Sequence, residues 1–275
     1  MKLEEFDRKA AVAFLYKQGI TNGSDAEKIA GNVQGSPLVL KLAAELWIKG
    51  EANIRNITLI ESILGKTTEA QLYTRILEHI HDPEVRKLAH PGFILRRITP
   101  EIIWKVLAGP CEVAVDNLST AETLFAKLKK EFTLVTSIAP DTLEHRQDIR
   151  VLMLKDIKRN LGTTRVQQIH EKAYAFYEAR RGDPNRAEEL YHRLSLGIDR
   201  KALKSRWTDK AAMLLPRAAI LELPPESQAY VAARIPIEIE EAAWDKADQS
   251  DWEKYTERVT RQALDSGNIS LASAL

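Results

Sequence analysis

The chain has 275 residues, with 40 Lys and Arg against 39 Asp and Glu for a formal charge of +1, and with 44% apolar and 29% charged residues. This is the composition of an ordinary soluble globular chain, long enough for two or three domains, and its near-neutral balance gives no whole-chain case for binding nucleic acid or an acidic membrane. The lone Cys111 excludes an intramolecular disulfide and a cysteine metal site, and it suits a reducing cytosol.

No apolar run approaches the roughly 20 residues that cross a bilayer. The N-terminus, Met1-Lys2-Leu3-Glu4-Glu5, is acidic and amphipathic where a signal peptide is basic and then apolar, so a cytoplasmic location is expected. Only 12 Gly and 11 Pro leave little punctuation for an all-β fold, and helix should dominate.

From Leu3 to Gln18, apolar residues recur at helical spacing and Gly19 stands where a helix-ending glycine belongs. Asp25 to Gln34 is a second short helix, stopped by Gly35. Ser36 as N-cap and Pro37 at the first helical position then launch Leu38 to Lys49. Thr58 with Glu61 and Thr68 with Gln71 carry capping-box spacing, predicting helices over Leu59–Leu64 and Glu69–Ile80. Asp82-Pro83 opens a short helix to Ala89, which the His90-Pro91-Gly92 breaker ends.

The run Phe93–Ile98 has extended character, and Thr99-Pro100 starts a helix through Leu107. Ser119 with Glu122 is another capping box, opening Ala121–Glu131. The β-branched and aromatic Phe132–Ile138, a turn at Pro140-Asp141, and Thr142–His145 then form a β-hairpin. Helices over Arg146–Leu161, Arg165–Arg180 and Pro184–Leu196 follow, then shorter ones to about Arg234, then Trp252–Asp265 with a turn at Ser266-Gly267-Asn268 and the start of another helix at Ile269–Leu275. The order helix, short strand, helix, helix, hairpin across residues 69–145 is that of a winged-helix domain.

Gly35-Ser36-Pro37-Leu38-Val39-Leu40, in a helix-rich segment about 35 residues before that domain, resembles the GxP motif of STAND nucleotidases, the class of the NB-ARC and NLR switch ATPases. The resemblance implies that Gly35 and Pro37 border a nucleotide, with the Pro37 ring against adenine. A proline at the first helical position fits that role, being rigid, apolar and without an N–H to desolvate. Leu143-Glu144-His145-Arg146-Gln147-Asp148-Ile149-Arg150 resembles a degenerate methionine-histidine-aspartate motif of the same class, whose histidine reaches the β-phosphate of ADP. His145 is the matching position. Glu144 stands in place of the methionine and Arg146 in place of the aspartate, so either Asp148 takes the aspartate's role or Arg146 is a direct phosphate ligand. Tyr255, Ala263 and Gly267 fall at spacings similar to the first helix and turn of a tetratricopeptide repeat.

The resemblance implies a mainly α chain of three parts: a helical lid domain over residues 1–66, a winged-helix domain with one β-hairpin over 67–160, and a helical linker leading into a tetratricopeptide-like sensor over 161–275. It implies ATP or ADP as cofactor, with Mg²⁺ only where a P-loop core is present. It also implies that core as a partner, a protein partner for the C-terminal helices, and oligomerisation on activation. Defence against phage, cell death and transcriptional control are all compatible outputs.

The one P-loop candidate, Leu64-Gly65-Lys66-Thr67-Thr68, has Ile60 where the pattern requires glycine, and it lacks a preceding strand. The chain is therefore not expected to hydrolyse ATP alone. His79, His81 and His90 suit helix-end cations better than a metal site; His170 and His192 suit packing among Tyr174, Phe176 and Tyr191; Cys111 has no activating partner. Trp47, Trp104, Trp207, Trp244 and Trp252 read mostly as core or interhelix anchors.

The alternative function is a DNA-binding regulator with a helical dimerisation or sensor domain. Against it, the helix Ala121–Glu131 offers only Lys127, Lys129 and Lys130, with no Arg, Asn or Gln for base edges, and the hairpin has no Lys or Arg. The neutrality of the whole is a cancellation: residues 1–145 hold 18 basic and 19 acidic groups, 146–217 hold 17 and 9, and 218–275 hold 5 and 11. Solvated helix faces account for such blocks in general, yet a charged binding surface stays open over 146–217.

Overall fold

A computed structural model of the chain describes residues 6–32, 37–49, 77, 80–131, 134–197 and 200–267. The protein is mainly helical with one small antiparallel sheet, and it divides into two compact units, Met1–Val166 and Gln167–Leu275.

In the first unit α1 (Arg8–Lys17) starts later than its apolar periodicity predicts, because Asp7 caps it: the Asp7 carboxylate accepts the Ala10 N–H at 2.7 Å. Its end is as the sequence predicts. Gly19 has φ +101°, its N–H donates to Tyr16 O and that of Ile20 to Leu15 O, closing a Schellman turn. Next come α2 (Gly23–Asn32) and α3 (Pro37–Lys49), the latter opening on Pro37. Both pack on α1 and bury Leu15, Ile29, Leu40 and Ala43. The helix predicted over 59–64 and the P-loop-like residues 64–68 lie outside the described residues, as does the helix predicted over 69–80 except for Leu77, which is helical, and Ile80, which is buried and not helical.

The Asp82 carboxylate accepts the N–H groups of Glu84 and Val85, starting α4 (Pro83–Gly92). This helix continues through His90-Pro91, where the sequence predicts a break. Phe93, Ile94 and Leu95 are not extended. Their N–H groups donate to the carbonyls of His90, Pro91 and Gly92, so the run forms tight turns, and its apolar character reflects complete burial. Only Arg97–Ile98 is strand (β1). Thr99 caps α5 (Pro100–Ile102), which widens into a π-helical turn over Ile103–Leu107.

Helix α6 (Leu118–Leu128) is capped by Asn117 and begins ahead of the predicted Ser119 box, the Thr120 N–H donating to Asn117 Oδ1 at 2.9 Å. Asn117→Ala should therefore cost about 1 kcal/mol in urea denaturation, and Ser119→Ala under about 0.5 kcal/mol. Strands β2 (Val135–Ala139) and β3 (Thr142–His145) complete an antiparallel sheet of order β1-β3-β2, with Arg97 opposite Glu144 and Val135 opposite His145. Helix α7 (Gln147–Asn160) follows, burying Ile149, Met153 and Ile157 at every fourth position. Helix α8 (Thr163–Glu178) runs from the first unit into the second.

The second unit continues with α9 (Asp183–Ser195), α10 (Arg200–Arg206), α11 (Asp209–Ala212), α12 (Arg217–Leu221), α13 (Pro225–Ala232), α14 (Glu241–Trp244) and α15 (Gln249–Asp265). Its core joins Leu190, Leu194, Leu203, Ile220 and Val231. Within α9 every residue from Ala187 to Leu194 is buried, including two glutamates, a histidine and an arginine. Among the described residues no helix is long and apolar enough to cross a membrane.

Candidate functional site

The residues singled out in the sequence occupy two places in the first unit. Pro37 is the first residue of α3 and half-buried, in the cluster of α1, α2 and α3; Gly35 lies outside the described residues. His145 and Arg146 sit at the junction of β3 and α7, and the Asp148 side chain lies outside the described residues.

His145 is the last residue of β3, whose alternation turns Leu143 and His145 inward and Glu144 outward. Its ring lies 4.2 Å, centroid to centroid, from Phe93 and beside Gly92, where an added Cβ would be in ordinary contact with the ring at 3.7 Å and crowded by Ile98 at 3.2 Å. Nδ1 is 3.1 Å from the Leu95 carbonyl oxygen, which can only accept, so Nδ1 carries the proton and Nε2 is left with a lone pair. Nε2 is buried and has no hydrogen-bond partner among the described residues. Burial pushes the imidazole pKa down to about 3, with the Arg150 charge adding to the fall and the Leu95 bond opposing it. The ring is neutral at physiological pH.

Arg150, one turn into α7 and 2% exposed, is the residue that sequence reasoning missed at this junction. Its Nη2 donates to the Ile94 carbonyl at 3.2 Å. Arg150 and His145 thus hold adjacent carbonyls of the buried turn ahead of β1, tying that turn to the β3–α7 junction. Arg146 is half-buried in the N-cap position of α7, its N–H donating to the Leu134 carbonyl at 3.1 Å.

The other candidates have structural surroundings. Burial pushes the Cys111 thiol up to about 12, so it is not a thiolate at neutral pH. His170 and His192, on α8 and α9, meet at 2.8 Å between their Nδ1 atoms, so one ring donates and the other accepts. Among the described residues no three His, Cys, Asp or Glu are grouped to hold a metal. Two buried carboxylates in the second unit had no sequence signal as such. Glu189 on α9 meets Arg186, Arg193 and Arg206, and Asp251 on α15 meets Arg200 and Arg234; both are 0% exposed.

No family model matches the chain, and no solved structure matches it. Among curated proteins it is similar to one named a probable ATPase, from Lysobacter enzymogenes, with 23% identity over 284 residues that cover 93% of this chain and 26% of that protein. The chain thus spans about a quarter of the length of the relative it matches. That likeness carries an ATPase-related context.

Proposed function

We propose that this chain is the regulatory portion of a STAND-type signalling ATPase: a helical lid, a winged-helix domain and the first helices of a tetratricopeptide-like sensor, coupling nucleotide state and partner sensing to oligomerisation. The observation that carries the reading is the order of elements. A helical cluster with Pro37 opening α3 precedes a helix, strand, two helices and two strands whose sheet order is β1-β3-β2. The likeness to a protein named a probable ATPase along nearly the whole chain supports it.

In this reading a P-loop core elsewhere in the natural protein supplies the catalytic residues and Mg²⁺, and ADP or ATP lies between that core and this chain. Pro37 faces adenine. A phosphate at His145 Nε2 would require a proton there, which burial and Arg150 oppose. The reading therefore gives the phosphate contact to Arg146 and makes His145 the anchor beneath it. In the natural protein that contains this chain, Pro37→Ala should lower co-purifying ADP, quantified after acid extraction, by at least about threefold, some 0.7 kcal/mol of binding, at unchanged melting temperature. An unchanged ADP content would overturn the assignment of Pro37.

The surface of α6 and the hairpin disfavours the DNA-binding alternative. Lys127 is engaged by Asp82 at 2.7 Å, and the exposed polar residues of the hairpin, Thr136, Ser137, Asp141 and Glu144, bring no positive charge. Duplex DNA at about 50 mM salt is expected not to bind below about 1 μM in a fluorescence-anisotropy titration; submicromolar, salt-dependent binding would favour the regulator instead.

A further inference from the structure

The second unit holds a cleft of about 810 Å³ between α10, α13 and α15 that no part of the proposed nucleotide switch uses. Seven Lys and Arg line it against three Asp and Glu. The helical period explains how: on α15, Lys254, Arg258 and Arg261 fall on one face, and on α10, Arg200, Lys201 and Lys204 do the same. Residues 218–275 are acidic as a whole, with 5 basic and 11 acidic groups, yet Arg234, Lys254, Arg258 and Arg261, four of those five basic residues, face this one cleft. Solvation alone does not sort charge this way.

Some of this charge is structural. Buried Asp251 accepts from Arg200 at 2.8 Å and from Arg234 at 2.9 Å, and Asp248 adds a second bond to Arg200 at 2.7 Å. These two arginines are fixed as wall. Lys254 lies 3.9 Å from Glu257, and three other cations are poised differently. Lys204 is exposed and makes no ion pair among the described residues. Arg258 donates one Nη2 bond to the Ala232 carbonyl, while its buried Nε has no hydrogen-bond partner among the described residues. Arg261 has only the exposed Glu257, at 2.9 Å. Converging cations in a concave cleft repel one another and raise the local potential, and a compact anion relieves both.

The same cleft has a rigid aromatic wall. The Trp207 indole N–H donates to Asp209 Oδ1 at 2.7 Å, which fixes the ring and engages that carboxylate. Tyr230 meets Trp207 edge-on at 5.4 Å and is itself covered by the Arg234 guanidinium at 3.4 Å. A pinned indole beside Lys204, Arg258 and Arg261, which together have one surface ion pair among the described residues, suits a planar ring joined to phosphate, since stacking and charge-assisted bonds are then satisfied together. The volume is that of a small-ligand site.

We propose that the cleft between α10, α13 and α15 binds a phosphorylated nucleoside of about mononucleotide size, stacked on Trp207 with its phosphates at Lys204, Arg258 and Arg261. This site is separate from the nucleotide position proposed at Pro37 and Arg146, and it does not depend on the ATPase reading.

Isothermal titration of the 275-residue chain at about 50 mM salt, with ADP, inorganic pyrophosphate, adenosine and a hexaglutamate peptide as probes, tests the proposal. ADP should bind at least about tenfold more tightly than pyrophosphate, with adenosine and hexaglutamate weaker still. Lys204→Glu and Arg261→Glu, both on exposed side chains, should each weaken ADP by about tenfold or more at unchanged melting temperature. Trp207→Leu should reduce ADP to the level of pyrophosphate, and Pro37→Ala should leave this binding intact. No ADP binding at about 1 mM, insensitivity to both charge reversals, or preference for hexaglutamate would each overturn it. Loss of binding in Pro37→Ala alone would move the nucleotide to the first unit and leave this cleft without it.

Discussion

Glu189→Ala is expected to destabilise the second unit by about 3–5 kcal/mol and to lower its melting temperature by about 10 °C or more. Glu189 is wholly buried on α9, and both its carboxylate oxygens are used. Oε1 accepts from Arg193 Nε at 2.9 Å and Arg206 Nε at 2.8 Å, while Oε2 accepts from Arg206 Nη2 at 2.8 Å and lies 3.3 Å from Arg186 Nε. Removing it leaves the guanidinium of Arg193, itself only 9% exposed, and that of Arg206 with the peripheral Glu178. The cost comes from stranding buried positive charge, which is why alanine is far worse here than at a surface pair such as Lys210–Asp183, where Lys210→Ala should leave stability nearly unchanged.

The same carboxylate sets an acid limit. Burial raises its pKa, but the bonds from Arg206 and Arg193 together outweigh burial and hold it below the ordinary 4.5. Its stabilisation is therefore complete above that value and is lost as pH falls through the lower folded pKa. Urea midpoints measured by circular dichroism should show this loss in the wild type and not in Glu189→Gln. Equal stability of Glu189→Ala and the wild type at pH 7 would mean that the arginines are satisfied by other groups.

His145 makes the first unit sensitive to acid over a different range. The ring is neutral in both folded and unfolded chains above its ordinary pKa of 6.5, and the folded value is about 3. Between these, the unfolded chain binds a proton that the folded chain refuses, so stability falls by up to about 1.4 kcal/mol per pH unit. From pH 7 to 4.5 the loss is about 2–3 kcal/mol. His145→Asn places an amide N–H near the former Nδ1, keeps the donor to the Leu95 carbonyl, and does not titrate. It should cost stability at pH 7 through the lost packing on Phe93, and it should flatten the pH dependence of amide exchange at Ile98 and Leu143. An equally steep dependence in His145→Asn would place the acid sensitivity elsewhere.

Signals confined to a few residues were legible in the sequence. Gly19 closing α1, Pro37 opening α3, Asp82-Pro83, Thr99-Pro100 and the turn between β2 and β3 each appear in the fold because cap and turn chemistry acts over three or four positions. The Ser119 box misled because Asn117, two residues earlier, makes the same bond to α6. Phe93–Leu95 misled because an apolar run reports burial and not conformation. The candidate sites depend on partners far apart in the chain. His145 meets Leu95 across 50 positions and Arg200 meets Asp251 across 51, and no local pattern announces such pairs. The block charges pointed to residues 146–217, whereas the cationic cleft draws on α10 within that block and on α15 from the acidic block that follows.

The most direct test of the regulatory-ATPase reading is the nucleotide content and mass of the natural protein that contains this chain, measured on one purified preparation by acid extraction and mass photometry. The account predicts stoichiometric bound ADP in a small species and conversion to a larger oligomer on addition of ATP and Mg²⁺. A nucleotide-free protein whose mass is unchanged by ATP and Mg²⁺ would contradict it.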